Sequence, residues 1–221
     1  FLSAAYMIPN VFAETEKGSQ LTENVKSAIL IERDTGKVLY EKNSQEQLPP
    51  ASMTKIMTML LIMEALDEGK LSMKEKVRAS EYAASMGGSQ IFLEPGEEMT
   101  VEELLKGIAI GSGNDASVAM AERIAGSEEN FVSMMNKKAK ELGLKNTKFQ
   151  NTTGLPVEDH YSTAHDMAIM AKELLKYEDI TKFTGTYEAY LRENTDKKFW
   201  LVNTNKLVRF YPGVDGLKTG F

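Results

Sequence analysis

Three short groups of polar residues, widely separated in the sequence, could together form a catalytic site. In the first, Ser52 precedes Lys55 by three positions, a spacing that places two side chains one turn apart on the same helix face. Serine becomes a nucleophile when an adjacent base takes its proton, and lysine is such a base only when burial or a nearby cation lowers its pKa. The pair indicates a serine nucleophile with a lysine base; alternatively, Ser52 only caps the helix.

The second group, Ser112-Gly113-Asn114, falls between two predicted helices and is therefore a loop. A hydroxyl and a carboxamide two positions apart can point into one cleft. The hydroxyl can relay a proton, and the amide can hold both a substrate carbonyl and a lysine. The alternative is an interhelical turn in which Asn114 or Asp115 is the N-cap.

The third group, Lys218-Thr219-Gly220, ends a predicted strand. On a strand, Lys218 and Gly220 face one side and Thr219 faces the other. The lysine suits a substrate carboxylate, and the glycine lets a ligand approach the backbone closely. The alternative is a solvent-facing strand lysine.

The elements that must position these groups follow from hydrophobic spacing. A helix from about Ser52 to Glu68 is apolar nearly all round, which is typical of a helix inside a domain. Capping boxes at Thr100/Glu103 and Thr163/Asp166 begin two further helices, and others are predicted over 115–125 and after Ser127. Strands are predicted over 27–31, 37–40, 187–191, 199–203 and 214–219. Strands therefore lie at both ends of the chain, and the fold is α/β or α+β, with a terminal sheet split by a helical insertion.

Composition narrows the possible functions. The formal net charge of −6 argues against a general affinity for nucleic acid or anionic membranes. The chain has no cysteine, which excludes disulfides, thiolate metal sites and cysteine nucleophiles. Its two histidines, His160 and His165, lack the further ligands and the spacing of a metal site.

The beginning of the sequence differs from the rest. Residues 1–13 are uncharged and mostly apolar, which predicts the remnant of a secretory signal peptide; an apolar strand or helix is the alternative. A linker over 14–24 and one domain over 25–221 follow, with a helical subdomain at about 70–180.

The order and spacing of the three groups resemble the active-site serine penicillin-recognising enzymes. Four segments make the chain similar to low-molecular-mass D-alanyl-D-alanine carboxypeptidases: Pro50–Lys55, Ser112–Ala116, Asn151–Leu155 and Tyr211–Gly220. The likeness extends from about Val25 to Phe221. It implies a β-lactamase/transpeptidase-like fold, in which strands from both chain ends form one antiparallel sheet.

The resemblance also implies roles for individual residues. Ser52 would be the nucleophile, Lys55 its base and Ser112 the proton relay to the leaving nitrogen. Substrate binding would fall to Asn114, Lys218, Thr219 and Gly220, and the oxyanion hole to the backbone N–H groups of Ser52 and Phe221. The implied ligands are peptidoglycan stem peptides ending in D-Ala-D-Ala and β-lactam antibiotics. No metal or organic cofactor is implied.

The family pattern continues beyond the lysine-threonine-glycine strand, with more strands and a C-terminal region that binds membranes. The sequence is therefore expected to be a fragment of a secreted enzyme of the outer face of the bacterial cytoplasmic membrane, and poorly folded and little active by itself. A class A β-lactamase is one alternative, but the required Glu-x-x-Leu-Asn segment has Lys145 in place of asparagine. Further alternatives are a non-catalytic penicillin-sensing or wall-binding module and a secreted helical interaction protein.

Overall fold

A computed structural model describes residues 22–220 of the chain. The predicted signal-peptide remnant and most of the predicted linker lie outside these residues, as does Phe221. Helices dominate the middle of the described part, as the hydrophobic spacing predicts. They are α1 (Lys55–Asp67), α2 (Glu81–Ala84), α3 (Val101–Ala109), α4 (Asn114–Ala125), α5 (Glu128–Glu141), α6 (Ala164–Leu174), α7 (Thr181–Thr184) and α8 (Leu207–Phe210). Within the described range, no helix has both the length and the apolar character needed to cross a bilayer.

Helix α1 is the centre of the core. Every side chain from Lys55 to Met63 is buried, which confirms the prediction of a helix surrounded by protein on all sides. Helices α3, α4 and α6 pack around it. Burial of each large apolar side chain stabilises the fold by about 1.5–3 kcal/mol. The lysine at the start of α1 is therefore carried by one of the most firmly packed elements of the protein.

Side chains define the helix ends largely as predicted. The capping box at the start of α3 is complete, because Thr100 and Glu103 each accept a hydrogen bond from the other's backbone N–H. At α6 only half of the predicted box forms. Thr163 accepts from the Asp166 N–H, but the Asp166 carboxylate accepts from Asn146 N and Thr147 Oγ1 instead.

The strands form three separate antiparallel pairs. They are β1 (Ala28–Ile31) with β2 (Val38–Lys42), β3 (Lys76–Arg78) with β4 (Glu98–Thr100), and β5 (Glu188–Leu191) with β6 (Phe199–Val202). The first and last pairs match predicted strands. The β3–β4 pair was not predicted, because three residues are too few to show an alternating pattern.

The strand predicted over 214–219 does not form, and the residues there have no regular structure. Nor do strands from the two chain ends share a sheet in the described part of the chain, where β1–β2 and β5–β6 stay separate. A strand needs a neighbour whose backbone groups complete its hydrogen-bond ladder, and residues 214–219 have no such neighbour among the described residues. Leu217 and Lys218 instead line a cavity of about 460 Å³ together with Ser27 and Ile29 of the β1 region.

Candidate active site

Ser52 lies in a tight 3₁₀ turn, Ala51–Thr54, immediately before α1. Gly154 presses against this turn: a Cβ atom there would lie 1.8 Å from the Ala51 carbonyl oxygen, which only glycine avoids. The alternative that Ser52 caps the helix is wrong. Thr54 holds the N-cap position of α1, and neither the turn nor the helix has a side-chain cap. The serine hydroxyl is thus not used to begin the helix.

Lys55 is fully buried, with 0% of its surface exposed. Its Nζ lies 2.7 Å from Asn114 Oδ1, 2.7 Å from the Thr153 carbonyl oxygen and 3.4 Å from Ser52 Oγ. A lysine ammonium has three hydrogens, so these three acceptors account for all of them. The amine is therefore held beside the serine hydroxyl by a side chain from α4 and a backbone carbonyl from the 151–154 loop.

The charge state of Lys55 suits a base. Burial, reinforced by the nearby ammonium of Lys218 and opposed by the Asp115 carboxylate, lowers the pKa of Lys55 to about 7. A large fraction of the amine is neutral at that pH and can accept the proton of the Ser52 hydroxyl. A pKa near the working pH is the value that makes a general base effective.

Ser112 adopts a left-handed backbone conformation with φ of 59° and is almost completely buried. Its hydroxyl has no hydrogen-bond partner among the described residues. A buried hydroxyl without a partner destabilises a fold, so such groups are uncommon except where they serve a function. This observation favours a chemical role for Ser112 over a turn that only joins two helices.

Asn114 is the first residue of α4, and Gly113 is the N-cap, so the alternative that Asn114 or Asp115 caps the helix is wrong. Asn114 donates to the Gly87 carbonyl while it accepts from Lys55. The buried Asp115 carboxylate accepts from the backbone N–H groups of Ile91 and Leu93. Asp115 thereby fixes the 91–93 loop against the start of α4, a role that no local sequence pattern indicates.

The third predicted group also reaches this place, although it does so without a strand. A Cβ atom on Gly220 would lie 3.2 Å from the Pro50 carbonyl oxygen, so the backbone there runs close to the turn that carries Ser52. Thr219 donates to the Thr204 hydroxyl, and burial lowers the pKa of Lys218 to about 8. The predicted oxyanion-hole role of Phe221 falls outside the described residues.

Residues 151–154 were identified in the sequence only as part of a motif, and their contact with Lys55 was not predicted. The contact is made by the backbone carbonyl of Thr153, and every residue type has such a carbonyl, so the sequence does not indicate it. Glu128 at the start of α5 holds the loop by accepting from both the N–H and the hydroxyl of Thr152. The described residues contain no group of three or more side chains able to bind a metal ion.

The Ser52–Lys55 pair has the geometry expected of an active-site serine enzyme with a buried lysine as the base. A sequence profile for D-alanyl-D-alanine carboxypeptidases matches residues 13–221, and the chain belongs to this family. It is 77% identical to D-alanyl-D-alanine carboxypeptidase DacF of Bacillus subtilis over 96% of this chain and 55% of that protein. It is 37% identical to DacC of Escherichia coli over 96% of this chain and 54% of that protein. The chain thus spans about half the length of these relatives.

Solved structures show the same fold. The carboxypeptidase DacD of Francisella tularensis is similar with a TM-score of 0.84 and 27% identity, over 100% of this chain and 63% of that one. Penicillin-binding protein 5 of Haemophilus influenzae is similar with a TM-score of 0.82 and 33% identity, over 88% of this chain and 57% of that one. The transpeptidase-like fold expected from the sequence is therefore confirmed.

Proposed function

We propose that the protein is a serine-type D-Ala-D-Ala carboxypeptidase that removes the terminal D-alanine from peptidoglycan pentapeptides. One observation carries the proposal: a buried lysine whose pKa is lowered to about 7 lies 3.4 Å from Ser52 Oγ. Both relatives from Bacillus subtilis and Escherichia coli are named D-alanyl-D-alanine carboxypeptidases, which supports the choice of substrate.

In the proposed reaction, Ser52 Oγ attacks the carbonyl carbon between the two D-alanines while Lys55 takes the hydroxyl proton. The bond from that carbon to the nitrogen of the last D-alanine breaks, and the nitrogen receives a proton through Ser112. Water then hydrolyses the serine ester and restores the Ser52 hydroxyl. The backbone N–H groups of Ser52 and Phe221 would stabilise the oxyanion, a contribution of about 3–4 kcal/mol for a single donor in other serine enzymes.

The remaining groups are proposed to bind substrate. The Lys218 ammonium attracts the terminal carboxylate, and Asn114 orients the substrate amide as well as Lys55. Thr219 and Gly220 form the adjacent wall, where the glycine keeps the backbone accessible. A β-lactam would acylate Ser52 in the same position. The same proposal includes a location in the cell envelope, at the outer face of the cytoplasmic membrane, because the substrate lies there. It also includes a signal segment over residues 1–13, which would direct the protein to that place.

The test is to incubate the protein with labelled penicillin and, separately, with a peptide ending in D-Ala-D-Ala. We expect a stable label at Ser52, release of D-alanine from the peptide, and loss of both in Ser52→Ala. Rapid hydrolysis of penicillin would indicate a β-lactamase instead. A stable label without any release of D-alanine would indicate a penicillin-sensing module.

A further inference from the structure

His160 makes two hydrogen bonds inside the protein. Its side chain is buried, with the residue 7% exposed. Nδ1 lies 3.0 Å from the backbone nitrogen of Gln150, and Nε2 lies 2.8 Å from Thr54 Oγ1. A backbone N–H can only donate, so Nδ1 must be the unprotonated nitrogen. Nε2 therefore carries the hydrogen and donates it to the Thr54 hydroxyl.

The imidazole stays in this neutral form over the working pH range. Burial lowers the pKa of His160 to about 4, and the ring packs edge-on against Phe149 with 5.9 Å between ring centroids. A neutral histidine with one fixed tautomer is a directional hydrogen-bond donor. It has no part in proton transfer in the proposed reaction.

Its partner, Thr54, lies between Ser52 and Lys55. Thr54 is the N-cap residue of α1, where a threonine hydroxyl commonly accepts a hydrogen bond from the first turn of the helix. No such bond forms here, and the fully buried hydroxyl is held by His160 instead. The protein thus uses this threonine to join the turn that carries Ser52 to a distant segment and leaves the helix uncapped.

That segment is the one that supplies the Thr153 carbonyl. Residues 151–154 lie between Gln150 and His160, the two positions joined by the Nδ1 bond. Within it, the Thr152 carbonyl accepts from Thr58 Oγ1 and the Thr153 carbonyl from Lys55 Nζ. His160 therefore connects the turn that carries Ser52 with the base of the loop that holds the amine of Lys55.

We propose that His160 is a positioning residue that fixes the Ser52–Lys55 geometry through its donor bond to Thr54. The inference rests on the proposed function, because it concerns the rate at which Ser52 is acylated. A displacement of about 1 Å between reacting groups can lower a rate on the order of 100-fold, so one buried hydrogen bond is enough to matter.

Two substitutions separate the two bonds. In His160→Gln, the side-chain amide reaches the Nε2 position and can still donate to Thr54. In His160→Asn, the shorter side chain reaches the Nδ1 position, where it can accept from Gln150 but cannot donate to Thr54. We expect His160→Asn to lower the limiting rate of acylation by labelled penicillin on the order of 10-fold to 100-fold. We expect His160→Gln to stay within about threefold of the unaltered protein, with little change in the half-saturating penicillin concentration in either variant.

Three controls accompany these rates. The His165 side chain is partly exposed and its ring contacts the neighbouring Asp166 rather than the Thr54 hydroxyl, so His165→Asn should acylate normally. Thr54→Val removes the acceptor, and combining it with His160→Asn should slow acylation no further than either change alone. All rates are compared well below each variant's unfolding midpoint, so that loss of folded protein does not enter.

The outcomes are distinct. Any one of four results would overturn the inference alone. They are normal acylation in His160→Asn, equal slowing in the asparagine and glutamine variants, additive effects with Thr54→Val, and an NMR spectrum with the proton on Nδ1. Absence of any label at Ser52 in the unaltered protein would overturn the proposed function, and the inference with it.

Discussion

The amine nitrogen of Lys55 lies 2.7 Å from Asn114 Oδ1, although the two residues are 59 positions apart in the chain. An amide oxygen fixes the direction of the amine without adding a negative charge beside it. A carboxylate in the same place would stabilise the ammonium form and prevent it from acting as a base. Asparagine at this position therefore orients the amine without opposing the effect of burial, the largest cause of the lowered pKa of Lys55.

The substitution Asn114→Asp tests this relationship. A carboxylate beside the amine should raise the pKa of Lys55 by roughly 1–3 units. The acid limb of the pH profile for penicillin acylation should move upward accordingly, with a rate at pH 7 lower by about fivefold or more. Asn114→Ala is the control, because it removes the same contact without adding charge; its acid limb should not move upward. An unchanged acid limb in Asn114→Asp would show that Lys55 is not the titrating base.

The two lysines predict a narrow bell-shaped dependence of D-alanine release on pH. The pKa of Lys55 is lowered to about 7, so activity should fall below that pH as the base becomes protonated. The pKa of Lys218 is lowered to about 8, so above that pH the charge that binds the substrate carboxylate is lost. In Lys218→Arg the guanidinium stays charged, and the alkaline limb should disappear while the acid limb stays near 7. A persistent alkaline limb would assign it to another group.

The sequence reveals those parts of the site that depend on side-chain type. Ser52, Lys55, Ser112 and Asn114 were all predicted, because each needs a particular functional group at a particular spacing. The structure joins Ser52 and Asn114 through the Lys55 amine. The Thr153 carbonyl was missed because any residue supplies a carbonyl.

Secondary structure also divides into elements that local sequence predicts and elements that depend on a distant partner. Helix α1 was predicted because a long run of apolar residues indicates that it is buried. The strand over 214–219 was predicted wrongly, because alternation shows only that a segment could pair and not that a partner lies beside it. The His160–Thr54 bond joins residues 106 positions apart, and no local pattern indicates it.

Gly154 should be essential for placing Ser52. Its φ is 83°, and a Cβ atom would collide with the backbone of Ala51. Gly154→Ala should therefore lower the free energy of unfolding by more than about 3 kcal/mol and slow acylation of Ser52. Urea denaturation followed by the fluorescence of Trp200, the single tryptophan of the sequence, measures the stability.

Gly143→Ala is the matched control for this prediction. Gly143 has a similar φ of 72° at the end of α5, but open space surrounds its Cβ position. Gly143→Ala should lower the free energy of unfolding by about 1–2 kcal/mol through backbone strain alone and leave acylation unchanged. Equal losses of stability in the two variants would mean that the contact with Ala51 can relax.

Alanine substitutions at Ser112 and Ser117 should separate an effect on catalysis from an effect on stability. The Ser112 hydroxyl is buried and has no partner in the described part of the chain, so Ser112→Ala should leave the free energy of unfolding unchanged or raise it by up to about 1 kcal/mol. If the hydroxyl relays the proton to the leaving nitrogen, the same change should lower D-alanine release on the order of 100-fold to 10,000-fold.

Ser117→Ala should behave in the opposite way. The Ser117 hydroxyl donates to the Gly113 carbonyl at 2.8 Å, so its removal should cost about 1 kcal/mol of stability and leave D-alanine release nearly intact. The left-handed backbone at Ser112 is equally strained with serine or alanine, since both have a Cβ atom, so strain cannot account for a difference between the variants. If Ser112→Ala destabilised the protein as much as Ser117→Ala does, its hydroxyl would have a structural partner after all, and the argument for a proton relay would lose its basis.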